Sequence, residues 1–345
     1  MSTAPYKVVQ WATGNIGTRS LRSVLEHPHL KLVGLYVHSR EKAGRDAGEL
    51  CGLAPVGIKA TNSIDDIIAL RPDCVLYMQQ GASIDDLCRL LASGANVVTT
   101  RVEFHDPLSL DPGVRQRLVE ACRIGATSLH STGSSPGFST EALPIVLLSL
   151  QRRLDGLTIN EFADVSSRNS PDMLFKVMGF GQPPAVLNRH ILAEVKIGFA
   201  NSFRALANAI AMPLDSVEIE GECATVRNST RIAAGVIEKG TMGALRITVS
   251  GMRQGRALMR MRLNWYCSRD IAEPWDLRDS GWHVVVEGDV PLDVSIRYPI
   301  AIEKYAQMTP GLTAHRAVNA VPVVCDARPG IRTTAELPQV VAQLG

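Results

Sequence analysis

The sequence predicts an α/β protein with a doubly wound parallel-sheet domain, followed by an α+β domain whose sheet is mostly antiparallel. Its 345 residues exceed what one hydrophobic core usually supports. Short apolar runs alternate with amphipathic stretches to about residue 138, which indicates β-α-β units, and longer alternating runs follow. We therefore expect domains at 1–138 and 139–311, and a segment 312–345 that can pack back on the first domain.

Five buried strands are predicted in the first domain, because short apolar runs are bounded there by polar or turn residues: Lys7–Trp11, Lys31–Val37, Cys74–Met78, Asn96–Thr99 and Ser128–His130. Before the last strand, Asp111 and Pro112 supply an N-cap and a first-turn proline for a helix that Gly125 ends. A connecting helix is predicted from Ser139. The second domain is predicted to contain a helix within 191–211 and strands at Thr158–Ala163, Ser216–Val226, Ala244–Val249, Ala257–Trp265 and His283–Val286.

Composition argues against several functional classes. The net charge of +2 and the scattered Lys and Arg residues predict no nucleic-acid partner. No run approaches the roughly 20 apolar residues of a membrane span, and the start resembles no signal peptide, so a cytoplasmic protein is expected. Seven irregularly spaced cysteines without a C-x-x-C pair predict neither a disulfide framework nor a metal site.

A dinucleotide-binding turn is predicted directly after the first strand. The segment Ala12–Gly17 matches G-x-G-x-x-G except for alanine at the first position, and it lies between a strand and a helix. Such a turn lets the backbone approach a pyrophosphate at the helix N-terminus. The alternative is a merely structural turn. We expect a Rossmann-type domain in which the cofactor is bound by Thr13, Gly14, Asn15, Ile16 and Gly17.

The end of the second strand predicts which cofactor is bound. An NAD site commonly has an acidic residue there for the ribose 2′-hydroxyl, whereas this strand ends in His38, Ser39 and Arg40, with no acid before Glu41. A hydroxyl and a guanidinium suit a 2′-phosphate. NADP is therefore favoured, and NAD stays possible if Arg40 only stacks on the adenine or faces solvent.

Polar residues that follow two later strands are candidates for chemistry and nicotinamide binding. Thr100 and Glu103 follow the fourth predicted strand, at the sheet edge where ligands bind in open α/β folds. The alternative for Glu103 is an ion pair with Arg101. Thr132 and Gly133 lie in a loop rich in glycine and hydroxyl groups after the fifth strand, as suits contact with a nicotinamide or its ribose.

Four segments occur together in order: Val8–Gly14, Val98–Phe104, Ser131–Phe138 and Val318–Pro322. The set resembles the native amine dehydrogenase and 2,4-diaminopentanoate dehydrogenase family, whose N-terminal domain is related to dihydrodipicolinate reductase, over almost the whole length. The resemblance implies a homodimeric enzyme that reductively aminates a ketone or aldehyde with ammonia and NAD(P)H, or deaminates the amine in reverse. In the resembled amine dehydrogenases the glutamate of this motif is the catalytic acid, so the resemblance implies this role for Glu103, the matching position.

Further residues are expected around the substrate and the cofactor. Phe138 is predicted to be a wall of the substrate pocket, although a core position is nearly as consistent with the sequence. Asn319, in the late segment, is expected to bond the nicotinamide carboxamide. Pocket residues from the second domain are Arg168, Asn169 and Met173, which leave its first strand, and Tyr266, which ends a long strand where aromatic residues ordinarily pack.

Two other functions are compatible with a first domain of this kind. A dihydrodipicolinate reductase-like imine or carbonyl reductase shares the N-terminal architecture, but that family has a paired histidine in its second domain, and no His-His pair occurs here. A non-catalytic NADP-binding sensor needs neither an acid after the fourth strand nor a hydroxyl-rich loop after the fifth. Both features therefore favour the dehydrogenase.

Overall fold

The computed structural model describes residues 4–184 and 189–345 and divides the chain into two compact units. The first unit comprises the chain up to Phe138 together with Thr309–Gly345, and the second comprises Ser139–Met308. The C-terminal segment thus belongs to the unit that contains the dinucleotide turn.

The helices and strands alternate in the first unit, and strands dominate the second. The strands are β1 (Tyr6–Trp11), β2 (Leu30–Tyr36), β3 (Ala60–Thr61), β4 (Cys74–Tyr77), β5 (Asn96–Thr99), β6 (Ser128–Ser131), β7 (Leu154–Asp164), β8 (Ser216–Thr225), β9 (Thr230–Ile232), β10 (Gly235–Ile237), β11 (Met242–Arg253), β12 (Arg256–Tyr266), β13 (Gly281–Gly288), β14 (Leu292–Arg297) and β15 (Gly330–Arg332). The α-helices are α1 (Asn15–Leu25), α2 (Ala47–Leu50), α3 (Ile64–Ala69), α4 (Ile84–Ala92), α5 (Pro112–Gly125), α6 (Leu143–Leu148), α7 (Arg189–Ala209), α8 (Tyr305–Asn319) and α9 (Val321–Cys325).

The first unit is built on a seven-stranded sheet in the order β15-β6-β5-β4-β1-β2-β3, in which all neighbours pair in parallel. The predicted doubly wound parallel sheet is therefore confirmed. Because the chain proceeds from β1 to β2 and later crosses to β4, the strand order reverses beside β1, and ligands of open α/β sheets bind at such a point. The strands β3 and β15 were not predicted, because each is too short to show a periodic pattern of apolar residues.

Apolar cores cover both faces of this sheet. Val8 packs with Leu21 of α1 and Val321 of α9 in one core. Val9 packs with Leu87 of α4 and belongs to the opposite core. The alternation of neighbouring β1 residues between two cores is the period-two pattern expected of a strand that is buried on both faces.

The second unit is built on a six-stranded sheet in the order β14-β13-β7-β12-β11-β8. Only β7 and β12 pair in parallel, so the predicted mostly antiparallel sheet is confirmed. The helix α7 covers one face, where Phe203 and Leu206 share a core with Ile247 and Val249 of β11. The hairpin β9–β10 and the strand β14 were not predicted.

Asp46 anchors the segment that follows β2. It is the N-cap of α2, and its carboxylate accepts hydrogen bonds from the backbone N–H groups of Gly48, Val56 and Gly57, each at 2.9 Å. These backbone hydrogen bonds, that of Val56 first, lower the pKa of Asp46. The ionised side chain thereby holds two stretches of loop together beside the end of β2.

Candidate active site

The turn after β1 leads directly into α1. Gly14 is the N-cap of α1, and its carbonyl oxygen accepts a hydrogen bond from the amide of Thr18 at 2.9 Å. The helix therefore begins at Asn15. Gly14 and Asn15 are exposed, Thr13 and Ile16 are half-buried, and Gly17 is buried. Thr13, Gly14, Asn15 and Ile16 are therefore accessible at the N-terminus of α1, and Gly17 lies beneath them.

The two glycines of this turn serve different purposes. A Cβ at Gly14 would meet no atom within 4 Å, so the space above the turn is open. A Cβ at Gly17 would lie 2.2 Å from the carbonyl oxygen of Ala12, so α1 approaches the turn too closely for any side chain there. Open space at the one and close packing at the other fit a turn that a pyrophosphate approaches.

Ala12 has a left-handed backbone conformation, with φ of +71°. The buried Gln10 side chain supports it, because Nε2 donates to the carbonyls of Trp11 at 3.2 Å and of Ala12 at 3.0 Å. The alanine thus adopts the conformation that a glycine would adopt freely, with neighbouring groups holding it there.

Aromatic and polar side chains meet at the ends of β1, β2 and β4. The rings of Trp11 and Tyr36 stack at 3.6 Å between centroids. Gln79 Oε1 accepts from Trp11 Nε1 at 2.8 Å and lies 2.7 Å from His38 Nε2. Gln79 was not predicted, although the polar segment Gln79–Gly81 directly after a buried strand was a signal for it. These contacts orient His38 at the end of β2, where an adenosine ribose would lie.

The segment after β2 turns back towards the dinucleotide turn. The Ser39 carbonyl accepts the amides of Lys42 at 3.1 Å and Ala43 at 3.3 Å. As a result Lys42 Nζ lies 3.2 Å from the carbonyl oxygen and 3.0 Å from Oγ1 of Thr13. Arg40, in contrast, is exposed. Lys42 was not predicted from the sequence, because its position depends on this turn.

Glu103 lies in a short 3-10 helix after β5, in the segment Val102–Phe104. Its Oε1 pairs with Arg101 Nε at 3.1 Å, and both side chains are a little under one third exposed. Arg101 is itself fixed by its backbone, since its amide donates to Thr99 Oγ1 and its carbonyl accepts from Ser131 Oγ. The ion pair that we considered as the alternative therefore exists, while the carboxylate keeps contact with solvent.

The loop after β6 presents buried hydroxyl groups without partners. Thr132 donates its amide to the Thr99 carbonyl at 2.9 Å, so the ends of β5 and β6 are joined. Within the described ranges, Thr132 Oγ1 and Ser135 Oγ are buried and have no hydrogen-bond partner. Buried polar atoms are normally satisfied, so these hydroxyls fit a polar ligand such as a carboxamide. A Cβ at Gly133 would lie 3.0 Å from the Pro136 carbonyl oxygen, so the backbone of this loop is closely packed there.

Two residues near the same sheet differ in what they contribute. His130 is buried and its Nδ1 lies 2.8 Å from the Arg332 carbonyl, so it joins β6 to β15. Asn319 lines a cavity of about 800 Å³ together with Tyr6 and His29, which stand at the amino ends of β1 and β2. The structure therefore places Asn319 at the sheet edge opposite the turn, apart from the other predicted cofactor residues.

The residues predicted for the substrate pocket differ in exposure. Arg168 and Asn169 are exposed in the loop after β7, Met173 is exposed in the short helical segment Asp172–Val177, and Phe138 is half-buried. Tyr266 is fully buried, donates to the Arg278 carbonyl at 2.6 Å, and lines a cavity of about 690 Å³ in the second unit. Burial raises the pKa of Tyr266, so its phenol stays neutral.

Two negative findings apply to residues 4–184 and 189–345. In these ranges no group of three or more His, Cys, Asp or Glu side chains is arranged to hold a metal ion. In the same ranges no helix is both long and apolar enough to cross a membrane.

Comparisons with known proteins connect this geometry to a family. Residues 8–100 match the family model of the dihydrodipicolinate reductase N-terminus, and residues 178–345 match that of the 2,4-diaminopentanoate dehydrogenase C-terminal domain. A 4-hydroxy-tetrahydrodipicolinate reductase of Synechococcus elongatus is 32% identical over 126 residues, which cover 36% of this chain and 38% of the reductase.

Two amine dehydrogenases match along almost the whole chain. The solved structure from Mycobacterium smegmatis has a TM-score of 0.76 at 18% identity, covers 99% of this chain and 98% of its own, and so shares the fold. An amine dehydrogenase of Streptomyces virginiae is 30% identical over 346 residues, which cover 96% of this chain and 95% of that protein. Because this relative matches along almost the whole chain and the first unit is of the Rossmann type, the chain belongs to the amine dehydrogenase family of NAD(P)-dependent oxidoreductases.

Proposed function

We propose that the protein reductively aminates a ketone or aldehyde with ammonia and NADPH, and oxidatively deaminates the corresponding amine in reverse. One observation carries the proposal: the dinucleotide turn follows β1, Glu103 follows β5 and Thr132 follows β6 of one parallel sheet. Parallel strands end at a common edge, so the turn, the Glu103 carboxylate and the Thr132 hydroxyl share that edge, which supports the proposal.

In the proposed reaction Glu103 moves protons. Its carboxylate takes a proton from the ammonia nitrogen as the C–N bond forms at the carbonyl carbon, while the carbonyl oxygen takes one proton from solvent and becomes a hydroxyl. The carboxyl group then gives its proton to that hydroxyl, which leaves as water. The remaining iminium is cationic and is stabilised by the same carboxylate once it is ionised again. Hydride transfer is the chemistry that the bound nicotinamide supplies. In total, the carbonyl compound, ammonia, NADPH and one proton yield the amine, water and NADP⁺.

Arg101 is proposed to position Glu103. It binds Oε1, and Oε2 makes no hydrogen bond within the described residues, so one oxygen is fixed and the other is available for proton transfer. Since the Arg101 backbone is held by Thr99 and Ser131, the direction of the carboxylate depends on the ends of β5 and β6.

The cofactor is proposed to be NADPH in preference to NADH, with NADH as a possible second cofactor. The end of β2 offers His38, Ser39 and Arg40 and no carboxylate that would repel a 2′-phosphate. The other contacts proposed to the cofactor come from the turn after β1 and from the loops after β5 and β6: Thr13, Gly14, Asn15, Ile16, Gly17, Thr100, Thr132 and Gly133. All seven cysteines are free thiols, which agrees with the proposed cytoplasmic location.

The substrate pocket is proposed to include Arg168, Asn169 and Met173 of the second unit. The thioether supplies apolar contact area, and the guanidinium and the amide supply hydrogen-bond donors. This is the mixture that small-molecule sites use. Tyr266 is proposed to support the pocket by packing, since its side chain is inaccessible and its hydroxyl is bonded to backbone.

A homodimer is proposed to form through the sheet face of the second unit that α7 leaves uncovered. Glu218, Glu220 and Glu222 of β8 are exposed on it, and Arg260 and Arg262 of β12 are half-buried. One strand separates these rows, a distance of about 10 Å, and within the described residues no ion pair joins them. A two-fold axis lets the acidic row of one copy meet the basic row of the other.

Sedimentation velocity tests the homodimer. The wild type is expected to sediment as a dimer, and Arg260→Glu combined with Arg262→Glu as a monomer, because two like-charged rows would then face each other. Arg231→Glu, on the exposed β9–β10 hairpin, is the control and should remain dimeric. A wild-type monomer, or a charge-reversed variant that dimerises as tightly as the wild type, would exclude this face.

The catalytic proposal is tested by following NADPH absorbance with a panel of small ketones and aldehydes, with and without ammonium. Glu103→Gln is expected to lower kcat about 10²- to 10⁴-fold, the usual contribution of a general acid–base, with an unchanged melting temperature. Glu120→Gln is the matched control, because Glu120 also pairs with an arginine, Arg123, but on the surface of α5.

Three outcomes would contradict the catalytic proposal. Amination by Glu103→Gln at the wild-type rate would remove Glu103 from the mechanism. NADPH consumption that needs no ammonium would identify a carbonyl reductase. If none of the substrates leads to NADPH consumption although NADPH still binds, the non-catalytic sensor would be favoured.

A further inference from the structure

We propose that Lys42 is the residue that distinguishes NADPH from NADH, by binding the 2′-phosphate together with the Thr13 hydroxyl. This inference rests on the proposed use of NADPH and assigns its selectivity to one side chain. The cofactor preference was predicted from the segment His38–Arg40 at the end of β2, and Lys42 lies outside that segment.

Lys42 is positioned beside the dinucleotide turn. Lys42 belongs to the segment after β2, and its Nζ lies 3.0 Å from Oγ1 and 3.2 Å from the carbonyl oxygen of Thr13, in the turn after β1. In Rossmann-type domains the adenosine ribose lies between these two segments, and a residue near the end of β2 contacts its 2′-oxygen. An ammonium that bridges the two segments therefore stands beside the 2′-position.

The contacts of the Lys42 ammonium leave its positive charge unneutralised within the described residues. Both contacts of the Lys42 ammonium are to uncharged oxygens, and within the described residues no carboxylate pairs with it. Two of its three N–H donors are used by Thr13, so one remains. The neighbouring Glu41 is exposed and makes no ion pair in the described ranges. A half-buried cation without a counter-ion is suited to an anionic ligand.

The Lys42 side chain is preorganised, whereas that of Arg40 is not. The Lys42 amide is bonded to the Ser39 carbonyl and its side chain to Thr13, so the ammonium is already in place. Arg40 is exposed, and no hydrogen bond or ion pair within the described residues holds its guanidinium. Binding a phosphate through Arg40 therefore costs more side-chain entropy than binding it through Lys42.

The experiment measures the dissociation constants of NADPH and NADH by isothermal titration calorimetry, at two salt concentrations. Lys42→Met, which keeps the apolar stem, is expected to weaken NADPH binding about 10- to 100-fold, as for loss of a charge-assisted bond, and NADH binding by less than about threefold. Lys42→Arg should retain most of the preference, and the salt dependence of NADPH binding should decrease in Lys42→Met. Lys31→Met, an exposed lysine on the same β2 strand, is the control.

Two results would overturn the inference. Equal loss for both nucleotides in Lys42→Met would show that the lysine only supports the turn. An unchanged preference in Lys42→Met, with the preference abolished in Arg40→Met, would assign the selectivity to Arg40. If instead the wild type binds NADH more tightly than NADPH, the proposed cofactor preference itself fails, and that result is separate from both others.

Discussion

Gly17→Ala tests the packing of the dinucleotide turn with a single methyl group. The added Cβ would lie 2.2 Å from the carbonyl oxygen and 2.9 Å from the carbonyl carbon of Ala12. Both are backbone atoms, so no rotamer relieves the contact, and α1 must move away from the turn. Overpacking of this kind costs about 3 kcal/mol, and the better helix propensity of alanine returns about 1 kcal/mol. We expect the free energy of unfolding to fall by about 2 kcal/mol.

Thermal unfolding followed by circular dichroism measures this loss. A change of about 2 kcal/mol corresponds to a melting temperature lower by about 4–8 °C for a unit of this size. Gly14→Ala is the matched control, because Gly14 has φ of −74° and a Cβ there would meet nothing within 4 Å. It should unfold within about 0.5 kcal/mol of the wild type and yet bind NADPH more weakly, since its methyl group enters the open space above the turn.

The two variants together separate packing from binding. The reasoning is refuted if Gly17→Ala melts with the wild type and binds NADPH equally well. It is also refuted if Gly14→Ala loses as much stability as Gly17→Ala, because the space at Gly14 would then be occupied by protein. Titration of NADPH by calorimetry supplies the binding half of the comparison.

Three further predictions concern groups around the same sheet. Hydrogen bonds depress the pKa of Asp46 in the folded protein. The ionised carboxylate therefore stabilises the fold above the unfolded pKa of about 3.9, and this stabilisation is lost as the pH falls further through the folded pKa. Below about pH 4, the urea midpoint of Asp46→Asn should therefore fall less steeply with pH than that of the wild type. Thr132→Val removes a buried hydroxyl without a partner, so stability should hold or rise by about 1 kcal/mol while calorimetry shows weaker NADPH binding. Gln79→Leu leaves the Trp11 indole N–H unpaired, so chemical denaturation should show a loss of about 1–3 kcal/mol.

The strands and the dinucleotide turn could be predicted because they depend on local patterns. The strand β5 has the predicted bounds, and α5 begins at Pro112 and ends at Gly125 as its capping residues indicate. The strands β3 and β15 could not be predicted, since they contain only two and three residues and form by pairing with strands that are distant in sequence. Sequence thus indicated the interior of the sheet better than its edges.

Side chains at the site could be predicted only where the strand end alone determines their position. Glu103 follows β5 directly, whereas Lys42 reaches Thr13 only because the chain turns back at the Ser39 carbonyl. Asn319 shows the reverse case. Its helix α8 contacts the loop after β6 at Thr313, but six residues later, about 9 Å along the axis, Asn319 lies in the cavity at the amino ends of the strands.

The alanine at the first position of the turn is explained by the residues around it. A left-handed conformation costs an L-residue about 1–2 kcal/mol, and Ala12 adopts it with φ of +71°. Gln10 offsets this cost with two hydrogen bonds to the carbonyls of Trp11 and Ala12, and the Ala12 side chain is itself buried in an apolar core. The carbonyl that Gln10 holds is also the atom that Gly17 approaches. Turn, strand and helix therefore meet at one oxygen, and we expect the departure from the consensus at Ala12 to be tolerated while Gln10 and Gly17 are both present.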